Sequence, residues 1–129
     1  MKKLFLFIII AEFVFAACGN LQTDKVRGFI PGVYVKEIND EYTKGMDTLI
    51  ISVLDKESGS YTIVRKTTYQ QFIDGKTLSP KNDRHKWIAI YIPDTKQLKE
   101  QNQGRVFSFS PDKALLSMGS SEYRKISNE

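Results

Sequence analysis

From Phe29 onward, turn signals cut the chain into short stretches rich in Val, Ile, Tyr and Phe, and that rhythm confines it to an antiparallel all-β fold. Segment 48–54 is the strongest strand, with Leu49, Ile51 and Val53 alternating onto one face. Segment 32–38 alternates from Gly32, and segment 60–73 is dense in β-branched and aromatic residues. That last segment is long for one strand, so a bend or bulge is expected near Thr67. Segment 86–92 is an almost continuous apolar run around Trp87, and 97–101, 105–110, 115–118 and 123–126 complete the series. Asp74-Gly75 is the clearest hairpin turn, because both residues tolerate positive φ. Pro93-Asp94, Gln103-Gly104 and Pro111-Asp112 punctuate the second half. Neighbouring strands tend to pair in sequence order, so the expectation is a β-meander of about six to eight strands, forming a sheet or a small barrel.

The first eighteen residues carry a different message. Lys2 and Lys3 precede an apolar run over 4–10; Phe13 to Phe15 extend it, and Ala16, Ala17 and Cys18 end it. A charged start, an apolar stretch and a small-residue end make a secretory signal helix. The ending is similar to the lipobox of bacterial lipoproteins. That resemblance implies removal of residues 1–17 and acylation of Cys18, so that the membrane partner is reached through an N-terminal lipid. Several acyl chains, at about 0.8 kcal/mol per buried methylene, hold firmly where one is marginal. Residues 18–28 then read as a polar tether and 29–129 as the β domain.

Composition removes several functions. The chain has 19 basic and 15 acidic residues, a mild excess spread along its length, which does not suit nucleic acid. Cys18 is the single cysteine, so no disulfide is possible and the domain must stand on its core. His85 is the single histidine, with no cluster of acids or thiols to make it a metal site and no nucleophile spaced to use it as a base. The glycines are isolated, which excludes a phosphate loop. The expectation is a non-enzyme without cofactor or metal.

Two groups of residues stand out. Trp87 and Tyr91 share a strand face with Ala89 between them; with Tyr34 and Phe107 they form either ordinary core or the wall of an apolar pocket. Lys81, Arg84, His85 and Lys86 make a basic cluster, read within a polar connection over 77–86, which is either a solvated loop or a contact for an anionic or protein partner. Gly32-Val33-Tyr34 resembles the Gly-x-Trp opening of lipocalin-like barrels, in which the aromatic closes one barrel end. That resemblance makes a small lipocalin-like barrel the sharper form of the fold expectation. Ser58-Gly59-Ser60-Tyr61 is similar to a loop of bacterial lysozyme inhibitors, but the absence of disulfides and the positive charge oppose that role.

Most of the domain resembles small lipoproteins of the Bacteroidota. The resemblance rests on Ile30-Pro31-Gly32-Val33-Tyr34-Val35, Asp47-Thr48-Leu49-Ile50, Tyr61-Thr62-Ile63-Val64-Arg65, Asp74-Gly75-Lys76 and Glu122-Tyr123-Arg124-Lys125-Ile126. It implies a lipid-anchored envelope protein, and relatives near conjugative-element genes imply a role in transfer or immunity. In that group acidic residues after the lipidated cysteine favour surface display. Gly19 to Thr23 has none, which leans the domain toward the periplasmic face, and the expected location is the outer membrane facing the periplasm. The expected function is a non-catalytic binding or accessory module for an envelope protein; the alternative is a carrier of a small apolar ligand.

Overall fold

The computed structural model describes residues 24–128. The expected signal segment, Cys18 and the first part of the tether lie outside the described residues. The domain is all-β, a closed antiparallel barrel with one short α-helix at its closed end among the described residues.

The strands are β1 (Gly32–Asn39), β2 (Thr43–Asp55), β3 (Ser60–Ile73), β4 (Lys76–Thr77), β5 (Lys81–Ile92), β6 (Gln97–Glu100), β7 (Val106–Ser110), β8 (Leu115–Met118) and β9 (Ser121–Ser127). The hydrogen-bonded order is β2-β1-β9-β8-β7-β6-β5-β3-β4, and β2 also pairs with β3. With β2–β3 paired and β1 joined to β9, eight strands close into a ring, and β4 is left as a short addition on β3. The architecture is the small lipocalin-like up-and-down barrel among the expected forms. A ring of eight leaves an interior about as wide as the side chains that point into it.

Alternation fills that interior. Tyr34, Leu49, Ile63, Leu98, Phe107 and Leu116 are fully buried and belong to one cluster with Ile51, Tyr61, Ala89, Tyr91 and Tyr123. Each large apolar side chain removed from water contributes about 2 kcal/mol. Ile88 and Ile90 lie out of phase with this set and are exposed, whereas Val53, expected on the same face as Leu49 and Ile51, is exposed although it is in phase with them, beside the irregularity in the β2–β3 register.

Residues 24–28, read as the end of a tether, take a different form. Lys25–Phe29 make a single helical turn, α1, capped by the Asp24 carboxylate on the amides of Val26 and Arg27. Five residues are too few to show a 3.6 period, so the sequence pattern could not reveal it. The turn is held at the barrel end by long-range bonds: Tyr91 donates its hydroxyl hydrogen to Asp24, and Arg27 donates to the Lys56 carbonyl at 2.6 Å. Tyr34 then closes that end from within, donating to the carbonyls of Phe29 and Ile30. Gly32 enters β1 at φ +151, where a Cβ would run into the Ser127 carbonyl and the Lys125 stem.

Three other boundaries differ from the expectation. β3 is unbroken at Thr67, since its register with β2 and β5 runs on from Tyr61 to Tyr69; the irregularity sits in β2, between Val53 and Asp55. β3 keeps its length by projecting beyond the ring. β2 begins at Thr43, ahead of its apolar stretch. The polar connection over 77–86 is largely strand, because β5 starts at Lys81. Beyond the barrel mouth neither face of β5 meets a core, so alternation vanishes while the backbone still pairs with β3. The Asp74-Gly75 turn forms as expected, with φ of 52 and 74.

Candidate functional site

The end of the barrel opposite α1 is polar inside. Asp47 on β2 is in phase with Leu49 and Ile51 and therefore points inward, where it is 3% exposed. Its partners arrive from two other strands. Arg65 on β3 grips it side-on through Nε at 3.1 Å and Nη2 at 2.7 Å. Thr67 and Tyr123 donate hydroxyl hydrogens to it at 3.2 and 2.7 Å. Burial pushes the Asp47 carboxyl up, but the Arg65 and Tyr123 hydrogen bonds, the Arg65 charge and Thr67 outweigh it, so it rests below the usual carboxylate range. Burial, and then the bond to Asp47, raise the Tyr123 phenol.

A second buried acid repeats the device. Glu100 ends β6 in phase with Leu98 and is 1% exposed. It accepts from the amides of Asn102 and Gln103 at 3.0 Å and from Arg105 Nη1 at 3.3 Å. Burial pushes this carboxyl up too, and those amides with the Arg105 charge hold it below its ordinary value. The turn 101–104 thus folds over Glu100 and delivers Arg105 to the mouth.

Between these two pairs lies a cleft of about 250 Å³, lined by Arg65, Arg105, Trp87, His85, Glu100 and Gln103. Trp87 is half-buried and forms its floor. The Arg105 guanidinium lies 4.5 Å from the indole centroid, the His85 ring stacks near it at 6.4 Å, and Phe107 packs against it at 6.1 Å from the core.

The four residues expected to line a pocket take different positions. Tyr34, Tyr91 and Phe107 are buried in the packed cluster, while Trp87 reaches the cleft. The basic cluster divides as well. Arg84 and Lys86 point to the outer face, out of phase with Trp87 and Ala89, and Lys66 stands opposite Arg84. His85 turns to the cleft, and Lys81 reaches Gln71 at 3.4 Å.

The β5 edge beside that cluster is open. β5 pairs with β6 only over Ala89 to Ile92. Gln101 donates to the Ile88 carbonyl, so even-numbered residues of β5 turn their backbone groups toward the β6 side. Lys86, Arg84 and Asn82 therefore present their amides and carbonyls to an edge with no strand partner among the described residues.

Asp47, Arg65, Glu100 and Arg105 escaped the sequence reading. Its available signal was the phase: Asp47 and Glu100 each continue a buried apolar alternation, where an acid is present only if it is paired. Comparison with known protein families, with curated proteins and with solved structures finds no match to this chain.

Proposed function

We propose that the chain is a lipid-anchored envelope lipoprotein, held in the outer membrane facing the periplasm, that works as a non-catalytic binding module for a partner protein. The observation that carries this reading is the open, basic end of β5. Residues 81–86 are exposed strand, their even members offer unpaired backbone groups, and Lys66, Arg84 and Lys86 gather positive charge on the outer face. An edge of this kind accepts an extended segment as an added strand, and the cations select one that is acidic. The packed interior supports this over the carriage of an apolar ligand, because Tyr34, Tyr91 and Phe107 occupy the space such a ligand needs. The kinship with Bacteroidota lipoproteins belongs to the same proposal.

The test places a photo-crosslinker at residue 84 in the full chain in intact cells. A discrete crosslinked partner is expected, with capture falling several-fold in the Arg84→Glu/Lys86→Glu double variant. Charge reversal on an exposed strand leaves the fold within about 1 kcal/mol, so loss of capture reads the contact. Unchanged capture by the folded double variant removes the β5 edge from the proposal.

A further inference from the structure

The cleft at the mouth is separate from the outer β5 edge, and its chemistry is that of a ligand site. We propose that it binds a small organic anion, with a carboxylate or phosphate held by Arg65 and Arg105 and a single flat ring laid against Trp87.

Three observations lead there. The first is that both guanidiniums are held in place yet keep free donors. Arg65 engages Asp47 through Nε and Nη2, which leaves Nη1 without an acceptor among the described residues. Arg105 engages Glu100 through Nη1, which leaves Nε and Nη2. A planar fork fixed on one side and open on the other suits a second, planar anion.

The second observation concerns which charges face solvent. Asp47 and Glu100 are 3% and 1% exposed, while the Arg65 and Arg105 side chains are 31% and 33% exposed. The acids are sealed beneath their cations, so an approaching molecule meets the positive half of each pair. His85 adds an imidazole at the rim.

The third is size and floor. A space of about 250 Å³ falls below the roughly 300 to 1,000 Å³ that houses drug-sized ligands, so it takes one ring and its acid group. The half-buried indole lines the cleft as its flat surface, with the Arg105 guanidinium 4.5 Å from its centroid and the His85 ring nearly parallel at 6.4 Å.

Trp87 is the only tryptophan of the chain, so its emission reports on this cleft alone. The full chain, kept in mild detergent, is titrated with phenyl phosphate and separately with benzoate. Benzyl alcohol and sodium chloride at matched ionic strength serve as controls. A saturable change in emission is expected with at least one acid and with neither control. Both acids saturating identifies a general anion site; one alone identifies its head group. Arg65→Lys and Arg105→Lys each keep a cation over the buried carboxylate while removing the free fork, and each is expected to weaken binding at least tenfold. In the wild-type protein the Nε–H resonances of Arg65 and Arg105 are expected to shift on addition of the acid, a readout that does not depend on either variant folding. A response that fails to saturate, equal binding of benzyl alcohol, or unmoved arginine resonances would overturn the proposal.

Discussion

Lys125 sits over the ring of Phe29, its Nζ 4.2 Å from the centroid, and donates to the carbonyl of the same residue. The two are 96 residues apart, so this contact ties the last strand to the start of the barrel. Burial pushes the Lys125 ammonium below its ordinary value. Lys125→Met keeps the packed stem and loses both the donor and the cation. The expected cost is about 1–2 kcal/mol, read as a lower urea midpoint with an unchanged slope.

Asp47 anchors three strands at the other end. Asp47→Ala leaves Arg65 and the Tyr123 hydroxyl without their acceptor. Because Arg65 is a third exposed, solvent recovers part of the loss, and the expected cost is about 2–3 kcal/mol. Asp47→Asn keeps an oxygen for Tyr123 and is expected to cost less. Urea titration of the two variants at pH 7 checks the order.

The same carboxylate, with Asp24 and Glu100, sets the acid limit of the fold. All three are held below their ordinary values in the folded protein: Asp24 chiefly by the Tyr91 hydroxyl, Asp47 and Glu100 by donors that outweigh burial. Groups depressed in the folded state stabilise it above their unfolded pKa, near 4, and that stability is lost as pH falls through the folded values. The urea midpoint is therefore expected to be flat from neutrality to about pH 5 and to drop steadily below about pH 4. In Asp47→Asn the acid limb is expected to be shallower, since one titrating group is gone.

Asp24 caps α1 and receives the Tyr91 hydroxyl, so Asp24→Ala frees the turn at both attachments. The loss of a cap is worth about 1 kcal/mol, and it falls on one element. Amide exchange of Gly28 and Ile30, which donate within α1, is expected to quicken while amides paired between β3 and β5 keep their protection.

Acylation of Cys18 has a simple readout. Mass spectrometry of the membrane-extracted protein is expected to find residue 18 at the N-terminus with acyl mass attached, and Cys18→Ser is expected to leave the precursor uncut. A free thiol on a soluble product would contradict it.

The barrel was legible where one face meets the core. Leu49 with Ile51, and Phe107 with Phe109, carry the period of two because the ring gives their strands an inside. The same physics hid the first half of β5: at Lys81 to Lys86 there is no inside, so only the backbone ladder marks the strand. The turns were legible too, since Asp74 and Gly75 need a φ that few residues accept. The mouth was harder to read. Whether Asp47 and Arg65 meet depends on the β2–β3 register, and whether Glu100 meets Arg105 depends on a turn; residue type alone specifies neither. Closure itself is a long-range fact, since the pairing of β1 with β9 joins the two ends of the domain.

Placing α1 ahead of β1 also gives the molecule a top and a bottom. The chain arrives at the plugged end, where Ser60 begins β3, and the 14 residues of that strand run away from it to Ile73. At about 3.3 Å per residue, β3 has a reach of roughly 45 Å. A lipid anchor ahead of Asp24, as proposed above, would pull on the sealed base and turn the open rim away from the membrane. Under that anchor, the end of β3 with β4 and the basic edge of β5 would be the parts held out toward a partner.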